Sequence, residues 1–395
     1  MAELTENLIR LKTAAGVGNA ILWRLIREFG GSDGILGAGA GALTRVKGVT
    51  AAKAENILAA AKYDPRPELE KALRAGVTVI PYDDPSYPAP LLHSYDPPAV
   101  LYVRGRLLPE DQVAIGVVGT RAATPAGRDS ALKLSAALAM GGYTVVSGLA
   151  LGIDAFAHIG AMNAGGRTIG VLGCGFDHMY PEQNRDLALE MARTGAVISE
   201  YPMATRPSRD TFPTRNRIIA AMSLGLLVVE APLRSGALIT ARIANDIGRT
   251  VFALPGRIGD ASSEGSNQLI RDGAVLVTGP DDIFRELNPS LPPPEPPERP
   301  SRRSGSRSGA PGQAAETAPM APAGLKPAED IPGLPAPELS DEQRKLLAAV
   351  AKDWLSVDDI SAAAGLAAGK TAALLGLLRL RRLVERGPGQ MFRRR

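Results

Sequence analysis

The chain has 395 residues, a formal charge of +4, apolar residues at 45% of positions and a single cysteine, Cys174. That length exceeds what one hydrophobic core usually serves, so two or three domains are expected, and a lone thiol excludes an internal disulfide framework. No apolar run approaches the roughly 20 uncharged residues of a membrane-spanning helix, and the opening MAELTENLIRLK lacks the apolar core of a secretory signal, which excludes the membrane and makes the cytoplasm the expected location.

Residues 1–63 read as helical. Two glycine turns, Ala15-Gly16-Val17-Gly18 and Lys47-Gly48-Val49-Thr50, each precede an apolar helical face, marked by Ile21, Leu22, Leu25, Ile26 and Phe29 and then by Ile57 and Leu58. The spacing predicts a helix-hairpin-helix or SAM-like bundle, whose turn amides can meet a phosphate. A plain helical cap turning at glycine fits the same residues.

Residues 64–287 alternate apolar runs with amphipathic ones. Seven short runs bounded by glycine, at 113–118, 144–147, 168–172, 196–199, 226–230, 251–254 and 275–277, predict strands. Helical stretches between them, such as 128–139, 185–194, 217–224 and 238–247, have the spacing of crossover helices. The expected fold is α/β, a doubly wound Rossmann-like sheet, in which ligands bind beyond the carboxyl ends of the strands. Residues 288–338, rich in Pro, Ser, Gly and Ala, read as a partly stiff linker. Residues 339–395 predict a winged-helix-like module: two helical patterns, a third over 370–383, and VERGPGQMFRRR as a wing. Seven arginines against Glu385 alone in 378–395 suit a phosphate backbone, with protein contact as the competing role. The run Gly365 to Thr371 is one residue short of a phosphate loop, so it predicts no ATP site.

Five features at strand ends carry candidate chemistry. Gly119-Thr120-Arg121 follows the first run, with Thr124 placed to cap the next helix and Pro125 in its first turn. Free amides, the helix dipole and the Arg121 guanidinium would converge there on one anion; a tight turn with a solvated arginine is the alternative. Gly148 in SGLALGID, and Gly173 and Gly175 in GCGFD, follow further runs, and glycines in a row allow a ligand to approach the backbone along a groove. Arg215 and Arg217, in FPTRNRII, stand at the expected start of an apolar helix, an unfavourable place for cations unless an anion or nearby acids compensate. Glu230 ends the fifth run before Ser235-Gly236 and is able to accept hydrogen bonds from neighbouring loops or to take part in chemistry.

The motifs VVGTRAATPAG, SGLALGIDAFAH, GCGFDHMYPEQN, ISEYP, FPTRNRIIAAMS, VVEAPLRSGALITARIA, ALPGRI and SNQLIRDGA occur in the order seen in the DNA-processing protein A (DprA/Smf) family, and the chain resembles that family over about 78–284. The resemblance implies a recombination mediator that binds single-stranded DNA entering during natural transformation, protects it and helps load the RecA recombinase, with a homodimer as a family expectation. It assigns Gly119, Thr120 and Arg121 to a phosphate-gripping turn, with Thr in place of Ser. It assigns Gly173 and Gly175 to the groove lining, and Arg215 and Arg217 to a basic stretch. A basic residue commonly follows the family's Tyr-Pro, whereas Tyr180-Pro181 precedes Glu182 here; Arg185 offers the charge from a shifted position.

The rival reading is a nucleotide phosphoribohydrolase resembling the LOG family, with Glu230 as its glutamate, although the full glycine-rich signature is missing. Nicotinamide use lacks the third glycine after Gly173-x-Gly175 and an acid about 20 residues beyond Gly119. His93, His158 and His178 have no ligand spacing. No catalytic set, metal or cofactor is expected.

Overall fold

The computed structural model describes residues 2–94, 96–287, 341–351, 353–366, 371, 374–375, 378, 383–386 and 391–394. The expected linker over 288–338 lies outside the described residues.

The N-terminal region is helical: α1 (Ala2–Thr13), α2 (Asn19–Phe29), α3 (Ser32–Leu36), α4 (Ala40–Leu43), α5 (Ala51–Ala60) and α6 (Arg66–Arg74). Both glycine turns stand where the sequence puts them: α2 begins after Gly18, and α5 begins after Thr50, whose hydroxyl accepts the Lys53 amide. Leu22, Leu25 and Ile57 fill the helical core. Past the first turn, α2 docks on the central region: the Asn19 side chain donates to Glu200 at 3.1 Å and the Trp23 indole to the Pro97 carbonyl at 2.7 Å. The turn itself stays at the surface, with Ala15, Gly16 and Gly18 exposed.

The central region is one nine-stranded sheet in the order β1-β2-β6-β5-β4-β3-β7-β8-β9. Its strands are β1 (Thr78–Pro81), β2 (Val100–Gly105), β3 (Ala114–Val118), β4 (Thr144–Ser147), β5 (Thr168–Val171), β6 (Ala196–Ser199), β7 (Gly225–Val228), β8 (Thr250–Ala253) and β9 (Val275–Leu276). The seven strands read from sequence are β3 to β9, and every neighbouring pair among them is parallel. The run reading missed β1 and β2, which add antiparallel at the β6 edge; TVIP is too short to show a period and ends in proline.

The parallel strands are continuous apolar runs because both faces are covered. Ile115, Val117, Val145 and Leu227 pack on one face under α8 (Pro125–Met140) and α9 (Ile153–Asn163). Their neighbours Ala114, Val118, Val146 and Leu226 pack on the other under α11 (Thr211–Met222) and α12 (Gly236–Asp246). The helix α7 (Ala89–Leu92) precedes β2, α10 (Arg185–Thr194) precedes β6, and α13 (Glu264–Arg271) and α14 (Pro280–Leu287) flank β9. Strand order reverses between β3 and β7, which makes that pair the switch point where loops diverge and leave a crevice.

In the C-terminal region, α15 (Asp341–Ala349) and α16 (Val357–Ala364) accompany a three-stranded antiparallel sheet, β10 (Leu355–Ser356), β12 (Met391–Arg394) and β11 (Val384–Arg386). The β11–β12 pair is the expected wing. One of its arginines is committed within the module: Arg393 bonds Glu385 at 2.8 Å and lies 4.6 Å from the Trp354 ring centre.

Candidate nucleic-acid interface

The loop after β3 delivers Gly119, half-buried Thr120 and exposed Arg121 to the C-terminal edge of the sheet. Thr124 caps α8 through its hydroxyl, which accepts the Gly127 amide at 3.0 Å. Four amides here, those of Thr120, Ala122, Thr124 and Gly127, are engaged from within. Thr120 N–H donates to the Glu230 carbonyl at 2.7 Å, and Glu230 Oε2 accepts from the Thr124 amide and hydroxyl at 3.0 and 3.1 Å. The expectation of unpaired amides awaiting an external anion is therefore narrowed: the Thr120 and Thr124 amides are taken by the chain's own buried Glu230. What the turn offers outward is the Arg121 guanidinium, 5.3 Å from the Phe212 ring centre.

The loop after β4 is fixed in the same manner. Gly148 N–H donates to Asp154 Oδ2 at 3.0 Å, and the Gly148 carbonyl accepts Arg215 Nη1 at 2.5 Å. The Val171 carbonyl is a second acceptor for Arg215. A side chain at position 148 has no room, since a Cβ there would stand 2.4 Å from Arg215. Arg215 is 4% exposed, and burial pulls its pKa down while the Asp154 carboxylate beside it opposes the shift. Burial likewise pushes Asp154 up, against the pull of Arg215 and of the Gly148 and Ala150 amides. On α9, burial takes His158 down to about 3, so the ring is neutral, with Nδ1 2.6 Å from the Thr168 hydroxyl. Burial raises the Cys174 thiol.

After β5, Gly173 leaves space for Phe212, whose ring would sit 2.8 Å from a Cβ at that position. Gly175 is structural: its amide donates to the Thr205 carbonyl at 2.9 Å. Asn184 ties this loop to the previous one by donating to the Leu149 and Ala150 carbonyls at 2.8 and 2.9 Å.

A groove results, lined by Arg121, Gly148, Leu151, Tyr180, Phe212 and Arg215. Tyr180 is 48% exposed and its ring centre is 5.8 Å from that of Phe212, with the planes tilted by 53°. The groove brings together Arg121, Gly148 and Arg215 from the sequence reading, with Gly173 packed against the Phe212 ring. Tyr180, Phe212 and Asn184 were missed as contributors, although all three lie inside motifs already quoted.

Two other arginines go elsewhere. Arg217 pairs with Glu200 at 2.5 Å and with Asp96 at 3.6 Å, beside a second cavity lined by Ser94 and Asp246. The alternative of pairing with nearby acids is thus what holds for Arg217. The helix also starts earlier than read: α11 begins at Thr211 with Pro213 tolerated in its first turn, so both arginines sit in its second turn. Arg185 is exposed at the first residue of α10, outside the groove lining, and Glu182 is exposed nearby.

Among the described residues no group of His, Cys, Asp and Glu has the arrangement of a metal site, and no helix is long and apolar enough to cross a membrane.

A family model described as DNA recombination-mediator protein A matches residues 78–288, and one described as the DprA winged helix domain matches residues 331–390. The sequence is 36% identical over 386 residues to Protein Smf of Synechocystis sp., covering 96% of each chain. It is 42% identical over 226 residues to DNA processing protein DprA of Bacillus subtilis, covering 56% of this chain and 76% of the relative. The X-ray structure of DNA processing protein A from Streptococcus pneumoniae superposes with a TM-score of 0.63 at 34% identity, covering 71% of this chain and 97% of that one.

Proposed function

Because the chain belongs to the DNA recombination-mediator protein A family, with its Rossmann-like sheet and winged-helix domain, we propose that it binds single-stranded DNA in the groove at the strand ends and acts without catalysis. It holds and protects the strand and presents it to the RecA recombinase in the cytoplasm, working as a homodimer. The observation that carries this reading is the stack of an exposed Arg121 guanidinium over Phe212, with the half-exposed Tyr180 ring alongside and the buried Arg215 charge beneath.

A phosphodiester supplies an anion for the guanidinium, and an unpaired base supplies a flat face for the rings. In a duplex the bases are already stacked on one another, so the rings favour a single strand. A groove reading phosphate and ring face distinguishes no sequence. The binding set is Arg121 with Gly148, Gly173, Phe212 and Tyr180, supported from below by Arg215. Gly119 and Thr120 shape the turn, Gly175 shapes the groove wall, and Arg185 lies on the strand's onward path. The carboxylate on which a phosphoribohydrolase reading depends, Glu230, is 4% exposed and bonded to Thr124, which supports the non-catalytic reading.

Fluorescence anisotropy with a labelled oligo-dT and with a blunt duplex of equal length, over a salt series, tests the proposal. The single strand should bind tighter, with the logarithm of affinity falling by about 0.7 per neutralised phosphate for each decade of salt. Equal affinity for the two, or a salt-independent constant, overturns it.

A further inference from the structure

Arg121 belongs to a short turn, 120–124, that a single distant residue holds at both ends. The Glu230 main-chain oxygen accepts the Thr120 amide at 2.7 Å, and its side chain accepts the Thr124 amide at 3.0 Å and hydroxyl at 3.1 Å. The seat for this carboxylate is built into the fold. Gly127 faces it with no side chain, and a Cβ there would stand 1.8 Å from Oε2; a Cβ on Gly119 would come within 2.9 Å of the Glu230 carbonyl. The carboxylate also faces the positive end of α8, with Oε2 taking both Thr124 bonds and Oε1 buried without a hydrogen-bond partner.

We infer that Glu230 is the positioning residue for Arg121. By closing both ends of the turn it holds the Arg121 backbone where the guanidinium stands over Phe212, so that the ordering cost is met during folding and not on contact with DNA. Glu230 does not touch the strand. Its influence on binding therefore runs through Arg121 alone, and this inference rests on the single-stranded DNA reading above.

A double-mutant cycle tests it with the full chain and oligo-dT, reading the dissociation constant and the thermal midpoint of R121A, E230A, E230Q and the combinations R121A/E230A and R121A/E230Q. E230A alone should weaken binding by nearly the factor seen for R121A, about tenfold for one charge-assisted contact. R121A/E230A should bind no more weakly than R121A alone. E230Q, which keeps an acceptor for Thr124, should recover most of the loss. A purely structural role would instead lower the thermal midpoint in both backgrounds and leave the cycle additive. If E230A does not fold, Thr124→Val, which leaves the carboxylate in place and removes one of its bonds, enters the same cycle with a smaller expected loss. Additive losses overturn the inference while leaving the DNA reading intact, as does a folded E230A that binds as tightly as wild type or tighter through the vacated α8 terminus. An R121A that binds unchanged removes both.

Discussion

Arg215 and Arg217 stand two positions apart on α11 and serve different parts of the molecule. Arg215 turns inward to the Gly148 carbonyl at 2.5 Å, whereas Arg217 reaches Glu200 at 2.5 Å on the side where the N-terminal helices dock through Asn19. Residues i and i+2 lie on opposing sides of a helix, so no shared anion can bridge the two. R217M leaves buried Glu200 with the Asn19 bond but without its guanidinium, and should lower unfolding free energy in urea by about 3 kcal/mol. Oligo-dT affinity of the folded protein should stay within about twofold of wild type, because the replaced charge is off the groove. A tenfold loss of affinity in folded R217M would return Arg217 to the DNA contact set.

Arg121 is the exposed cation of the groove, and it should report directly on phosphate. R121A should weaken oligo-dT binding by about 1.5 kcal/mol, the low end for a charge-assisted contact because the side chain is open to solvent. The salt slope should fall by about 0.7, the signature of one phosphate no longer neutralised. Loss of affinity with an unchanged slope would assign Arg121 to the bases.

How far the sequence could be read is itself explained by these residues. The inner parallel strands were legible because a strand buried on both faces is largely apolar, as AIGVV is in β3, and the edge strand β9 was legible although Leu276 is exposed. The glycine positions were legible as well, but their purpose was not. Gly148 and Gly173 make room for Arg215 and Phe212, contacts that join residues 67 positions apart in the first case and that no local pattern records. Capping shows the same gap: Thr124 could be placed at the α8 terminus from its spacing to Pro125, whereas the carboxylate that completes the cap arrives from 106 residues away. Tyr180 and Phe212 were visible as letters in two motifs, and only the sheet brings their rings to 5.8 Å.

Those rings should contribute through stacking and not through charge. F212A is expected to weaken oligo-dT binding by about 1–3 kcal/mol while leaving the salt slope unchanged. Quenching of a fluorescent base analogue in the strand, present with wild type and lost with F212A, would place a base against the ring. An F212A that lowers the slope instead would mean that the ring acts by holding Arg121, which lies 5.3 Å from its centre.

Acid should act on the fold through His158. Its ring is fully buried on α9 with Nδ1 against the Thr168 hydroxyl, and burial, joined by the Arg215 charge, takes its pKa from 6.5 to about 3. A depressed folded pKa gives stability that is present above the unfolded value and lost as pH falls toward the folded one, because the unfolded chain then binds a proton that the native state refuses. The window is therefore pH 6.5 down to about 3, with a slope from this one group approaching about 1.4 kcal/mol per pH unit in its middle. Asp154 works in the opposite sense: burial raises its pKa, so its own contribution is lost as pH rises from the usual carboxylate range and opposes the histidine limb. Urea midpoints measured across this range should fall steeply on acidification for wild type and less steeply for His158→Gln, which cannot charge. Parallel pH curves for the two proteins would show that the imidazole is not the group being titrated.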